Sequence, residues 1–259
     1  MPLIKIQGIF LPIAIPFDHH GSIWEIKLQH NVDKWNRTSL AGYVVPGPEA
    51  AYLSTDEKIR VWQWTAKYAA PGKILIANCG MPSVHETVEL ANRAADLGYK
   101  AALVCPTHED SAIYFQAVAD RAKIPVIACG NSTHPNIAAT VVDRVEKAEG
   151  PILAGSALRL ADSFATGASG AMLALANAIP YATIGIWEAH RTREVEAALD
   201  WQNRIARAAE LVEKKFGIPG LKHAMDLNGY YGGPPRLPLT VLMPEARKEI
   251  EQAFDGIKG

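Results

Sequence analysis

Residues 124–155 read IPVIACGNSTHPNIAATVVDRVEKAEGPILAG, and the fold turns on how they divide. Pro125 to Cys129 is a short continuous apolar run, as expected for a strand covered on both faces. Ile152 to Gly155 reads as another. Between them lie the 21 residues from Gly130 to Gly150. Ile137, Val141, Val142 and Val145 recur at helical spacing, so Asn136 to Ala148 is expected to form one helix. The interval is too short for helix, strand and helix at ordinary loop lengths. One strand is therefore expected to be missing here. The edges left by such a gap would need a helix or another subunit to cover them.

Outward from this stretch, short β-type runs alternate with helical patterns, the signature of βα units around a parallel sheet. The strands expected are Gly8 to Ile15, Gly42 to Val45, Lys73 to Asn78, Ala101 to Cys105, Pro125 to Cys129, Ile152 to Gly155 and Gly170 to Leu173. That makes seven, where a full (β/α)8 barrel has eight. Ser54 with Glu57, and Ser83 with Glu86, have the spacing of capping boxes. After Leu173 the pattern is helical throughout, with helices expected over Tyr181 to His190, Glu194 to Phe216, Gly220 to Leu227 and Pro244 to Phe254.

The bulk properties fit one large α/β unit: 259 residues, 49% hydrophobic and 20% charged. A formal net charge of -1 with no basic run gives no reason to expect nucleic acid or an anionic membrane as a partner. No apolar run reaches the length of a membrane span. The apolar start is broken by Pro2, Pro12 and Pro16 and lacks a signal peptide's charged region and cleavage site. A cytoplasmic location is expected. The three cysteines, an odd number, do not look like a disulfide framework.

Several stretches, in order, resemble the dihydrodipicolinate synthase / N-acetylneuraminate lyase family. They are GIFLPIAIPFDHHGSI (8–23), LSTDEK (53–58), SVHETVELANRAADLGYKAALV (83–104), ILAGSA (152–157), GASGAMLALANAIP (167–180) and GIPGLKHAMDLNGYYGGPPRLPL (217–239). The resemblance implies a TIM-type (β/α)8 barrel with extra C-terminal helices, here incomplete around strand six. Residues 1–180 would form the barrel, and 181–259 a helical extension packed on it as a single structural unit. It also implies a homo-oligomer and a reversible aldol reaction of pyruvate or a related 2-oxo acid, with no cofactor. In that chemistry a strand-six lysine forms an imine that serves as electron sink. A strand-five tyrosine relays protons, and a loop after strand two binds the carboxylate with backbone N–H groups.

This chain departs from that pattern at all three places. The loop after strand two reads Val45-Pro-Gly-Pro-Glu49, and its two prolines carry no N–H. Gly47 remains, and Glu49 resembles a residue that supports the loop. A lost anion site is favoured over a remade one. Cys129, Gly130 and Asn131 stand where the tyrosine and an asparagine are expected. Aligning His134 to Thr140 with the family's strand six puts Thr140 or Val141 in the lysine's place. The alternative, preferred on periodicity, deletes the strand. Both remove the lysine. Lys123 and Lys147 are placed near helix ends, and Lys222 matches a lysine of the C-terminal helices.

Candidate substrate-binding residues are therefore Gly47, Glu49, His108, Asn131, Gly155 and Ser156. Cys79, Cys105 and Cys129 each end an expected strand, and barrel chemistry sits at strand C-terminal ends. They are candidates for a zinc site, although buried cysteine more often acts as a small hydrophobe. On that basis all three are expected to be reduced, with at least two buried. Three functions stay open: a lyase of small 2-oxo acids without the usual lysine, a catalytically silent binding barrel, and a metal-dependent lyase.

Overall fold

The computed structural model describes residues 6–105, 111–130, 137–142 and 151–257. Eight parallel strands close into a barrel in chain order. They are β1 (Gly8–Pro12), β2 (Gly42–Val45), β3 (Ile74–Asn78), β4 (Ala101–Val104), β5 (Val126–Cys129), β6 (Ile137–Val142), β7 (Ile152–Ala154) and β8 (Gly170–Met172). Helices α1 (Glu25–Trp35), α2 (Thr55–Tyr68), α3 (Val84–Asp96), α4 (Ser111–Ala119) and α5 (Leu160–Ala165) accompany them. After β8 come α6 (Pro180–Thr192), α7 (Val195–Glu210), α8 (Gly217–Leu227) and α9 (Pro244–Phe254). Among the described residues no helix is long and apolar enough to cross a membrane.

The barrel is complete, which corrects the expected gap at strand six. β6 pairs with β5 through Ile127↔Ala139 and Cys129↔Val141, and with β7 through Thr140↔Ile152 and Val141↔Leu153. Residues 137–142 thus form a strand where helical spacing pointed to a helix. Ile137, Val141 and Val142 suit either period, and a short apolar run cannot be assigned by periodicity alone. Closure decides it, because without β6 both β5 and β7 would carry unpaired backbone edges.

Side chains alternate across the barrel wall, as they do along any strand. Phe10, Val44, Ile76, Leu103, Ile127, Ala139, Leu153 and Met172 pack together in the lumen. Their neighbours Tyr43, Val45, Leu75, Ala77, Ala102, Val104, Ala128 and Ala154 belong to the larger core between strands and helices. The inner wall is apolar and filled, so any ligand has to sit above it, at the strand ends.

Local signals behave as their chemistry demands. Ser54 and Glu57 form a reciprocal capping box that starts α2. Ser83 caps α3 by accepting from the Glu86 N–H, while the Glu86 carboxylate accepts from Thr55 Oγ1 at 3.3 Å, tying α3 to α2. The expected helix from Glu194 to Phe216 stops at Glu210. Leu211–Phe216 instead forms a π-helical turn that leads into α8. Such turns widen the helix and re-aim side chains, often beside functional sites.

Candidate functional site at the barrel mouth

Three ties shape the C-terminal ends of the strands. Asn177 accepts from the Ala14 N–H and donates to the Pro12 and Ala174 carbonyls, joining the end of β1 to the turn after β8. Arg236 donates to both Glu57 carboxylate oxygens, at 2.6 and 2.8 Å, and to the Gly21 and Tyr52 carbonyls. The third tie is a buried ion pair. Lys222 Nζ donates to the Ile15 carbonyl at 2.6 Å and the Gly232 carbonyl at 2.9 Å, and lies 3.2 Å from Glu49 Oε1. Burial pushes the Glu49 carboxyl up and the Lys222 ammonium down, and their attraction opposes both shifts.

The loop after β2 has its N–H groups committed. Gly47 donates to the Ile13 carbonyl at 2.8 Å. Pro46 and Pro48 have no N–H, and the Glu49 N–H faces its own carboxylate. Glu49 is fully buried, with Oε2 accepting from the Ile15 N–H. Gly47 is needed for close approach, because a Cβ there would lie 2.4–2.6 Å from the Pro12 and Ile13 backbone. Both residues, candidates for substrate binding by sequence, brace the loop against β1.

On the inner wall, Cys105, Cys129 and Val141 lie beside the lumen core at the ends of β4, β5 and β6. By strand alternation the inward place on β6 belongs to Val141, and Thr140 turns toward the outer layer. Cys105 and Cys129 are joined by a disulfide, with Cα atoms 4.7 Å apart. This corrects the expectation of three reduced thiols. Adjacent parallel strands end in register, Val104 opposite Ala128, so the next residues meet. Cys79 is free, fully buried and part of the outer core. The three cysteines therefore do not converge, and among the described residues no group of three His, Cys, Asp or Glu side chains could hold a metal.

A cavity of about 240 Å³ opens at the mouth, lined by Pro48, Gly155, Ser156, Ala174, Glu213 and Lys214 among others. Gly155 and Ser156, chosen from the sequence, are thus brought to one site. Ser156 Oγ donates to Glu213 Oε2 at 2.5 Å, and the Ala157 N–H donates to Glu213 Oε1 at 2.8 Å. This clamp fixes the π-helical turn over the end of β7. The next residue, Lys214, is exposed to the cavity and has no ion-pair partner among the described residues. Sequence reading missed Glu213 and Lys214. The available signal was the charged Glu213-Lys-Lys215 run just before the Gly217-Ile-Pro-Gly220 landmark. His108 and Asn131 lie outside the described residues.

A sequence profile described as the dihydrodipicolinate synthetase family matches residues 5–147. The chain belongs to that family. Among curated family proteins, it is 26% identical over 291 residues to an Emericella nidulans protein named "Probable 4-hydroxy-2-oxoglutarate aldolase, mitochondrial", covering 96% of this chain and 94% of that one. To the 4-hydroxy-tetrahydrodipicolinate synthase of Methanothrix thermoacetophila it is 25% identical over 284 residues, covering 96% of each. The crystal structure of dihydrodipicolinate synthase from Aquifex aeolicus superposes with a TM-score of 0.88 at 20% identity, over 96% of this chain and 97% of that one. Among the described residues, the mouth of this family member thus combines a braced loop, a sulfur-lined wall and the uncommitted cation Lys214.

Proposed function

We propose that the chain is a carbon–carbon lyase-type protein that receives a small 2-oxo acid at the mouth cavity and holds it without an imine to a lumen lysine. The observation that carries this is the inward place on β6. Val141 stands there, between Cys129 and Leu153, and it has no amine to offer. The names of the related proteins support the substrate class.

With the β2 loop's N–H groups committed, Lys214 is, among the described residues, the cation available to a carboxylate or to a developing enolate oxygen. Ser156 and Glu213 fix the turn that carries it. A silent binding barrel is the second reading, favoured by those same spent donors. The metal-dependent reading draws no support from the outward-facing Cys79.

The test is borohydride treatment with pyruvate, followed by intact mass measurement and calorimetric titration of pyruvate. Binding without a trapped adduct is expected. A saturable single addition mapped to one lysine overturns the proposal. Lys214→Met is expected to weaken pyruvate binding by roughly tenfold, the value of one charge-assisted contact of about 1.4 kcal/mol. Turnover of 2-oxo acids with no carbon–carbon cleavage product would favour neither lyase reading.

A cytoplasmic homo-oligomer completes the proposal. Val195 and Leu199 are exposed beside an apolar groove between α5, α6 and α7, which supports association of copies. Sedimentation velocity should show a dimer or tetramer, and a monomer at all concentrations would refute that part.

A further inference from the structure

The Cys105–Cys129 pair has no part in the binding scheme above, yet it occupies the mouth. Both residues sit against the lumen core at the ends of β4 and β5, and both are half-buried. The third cysteine behaves in the opposite way. Cys79 ends β3 with its side chain in the outer core, fully buried, and burial pushes its thiol well above the ordinary range. Alternation on the strands explains the division. Cys105 and Cys129 follow the inward Leu103 and Ile127 by two residues, whereas Cys79 follows the outward Ala77. The barrel thus shelters one thiol and leaves two half-buried sulfurs at the strand ends.

An exchangeable disulfide needs a reachable sulfur and a place for the leaving thiolate. The mouth position supplies the first. The second follows because the partner cysteine stays on the neighbouring strand, held by the β4–β5 ladder Ala102↔Val126, Leu103↔Ile127 and Val104↔Ala128. Opening the bond leaves that ladder intact, so the two sulfurs remain within reach for closure.

We propose that Cys105–Cys129 is a thiol-exchange site whose covalent ligand is a low-molecular-weight thiol. The thiolate attacks one cysteine sulfur, the S–S bond breaks, and its electron pair leaves on the other cysteine, which takes up a proton. A second thiolate then attacks the outer sulfur of the mixed disulfide. It releases the oxidised small disulfide and leaves two cysteine thiols. Two small thiols are oxidised and one protein disulfide is reduced. Formed on Cys129, the mixed disulfide sits on the strand position paired with Val141.

The experiment uses the full chain and glutathione as the probe. Alkylation of the freshly purified, unreduced protein under denaturing conditions should label one thiol, Cys79. Native protein in reduced glutathione should then gain one glutathione by intact mass, mapped to Cys105 or Cys129, and at higher concentration should expose both thiols. Circular dichroism should stay native throughout. A Cys79→Ala variant should behave identically. Three labelled thiols that do not pair on addition of oxidised glutathione would overturn the proposal. So would a bond that resists glutathione until the protein is unfolded, which would make it a structural staple only. Pyruvate titration of both redox forms is read separately, so failure of 2-oxo acid binding leaves the exchange result standing.

Discussion

Replacing Lys222 by methionine tests the reasoning about the buried ion pair. The ammonium is 1% exposed and the Glu49 side chain equally enclosed. At 3.2 Å and an effective dielectric near 20, the mutual attraction is about 5 kcal/mol. Methionine fills much of the lysine's volume but leaves the carboxylate unpaired. It also strips the Ile15 and Gly232 carbonyls of their donor. The expected loss is about 3–5 kcal/mol, the range for breaking one side of a buried pair. That is a large share of a typical stability of about 5–15 kcal/mol.

The assay is urea unfolding at neutral pH and fixed protein concentration, since association would add to apparent stability. The double variant Glu49→Gln with Lys222→Met should recover much of the loss. Among the described residues Glu49 Oε1 meets only the Lys222 ammonium, as an ion pair without hydrogen-bond geometry, so the pair is imperfectly satisfied, and removing both charges relieves that cost. A single-variant loss under about 1 kcal/mol, or a double variant as unstable as the sum of the two, would refute the account.

Gly47→Ala should destabilise by about 1–3 kcal/mol, because backbone of Pro12 and Ile13 stands where the Cβ would go; unchanged urea midpoints would show that the loop can shift. Ser156→Ala removes the hydroxyl that holds Glu213; an approximate loss of 0.5–1.5 kcal/mol and weaker pyruvate binding by titration are expected, and unchanged affinity would detach the π-helical turn from the site. Hydrogen bonds from Arg236 hold the Glu57 carboxyl below its ordinary value. A depressed carboxyl stabilises the fold above its unfolded pKa, about 4.3, and that stability is lost as pH falls through the folded value. Glu57→Gln should therefore flatten the acid limb of a stability–pH curve, and an unaltered limb would place the acid sensitivity elsewhere.

How far the sequence reveals this molecule depends on how far each feature is a local matter. Strands such as Ala101–Val104 and helices opened by Ser54 or Ser83 were legible because their signals lie within a few residues. β6 was not, because Ile137, Val141 and Val142 satisfy both periods, and only pairing with β5 and β7 settles the choice. The same long-range pairing decides that Val141, not Thr140, faces the lumen, and that Cys105 meets Cys129 across 24 positions of sequence. Gly155 and Ser156 could be picked out because they sit in a landmark directly after a strand. Glu213 and Lys214 were passed over, because their charged run beside a landmark is a weak signal and a π-helical turn, which brings them to the cavity with Gly155 and Ser156, has no sequence period of its own. Gly47 and Glu49 were picked out, but the sequence leaves their task open, since a glycine and a carboxylate after a strand serve equally as ligand contacts or as braces. What separates the two is where their partners lie, and here those partners are the Ile13 carbonyl, the Ile15 N–H and Lys222. The charge left open to the mouth cavity among the described residues is consequently Lys214, on an element the sequence joins to the barrel only through folding.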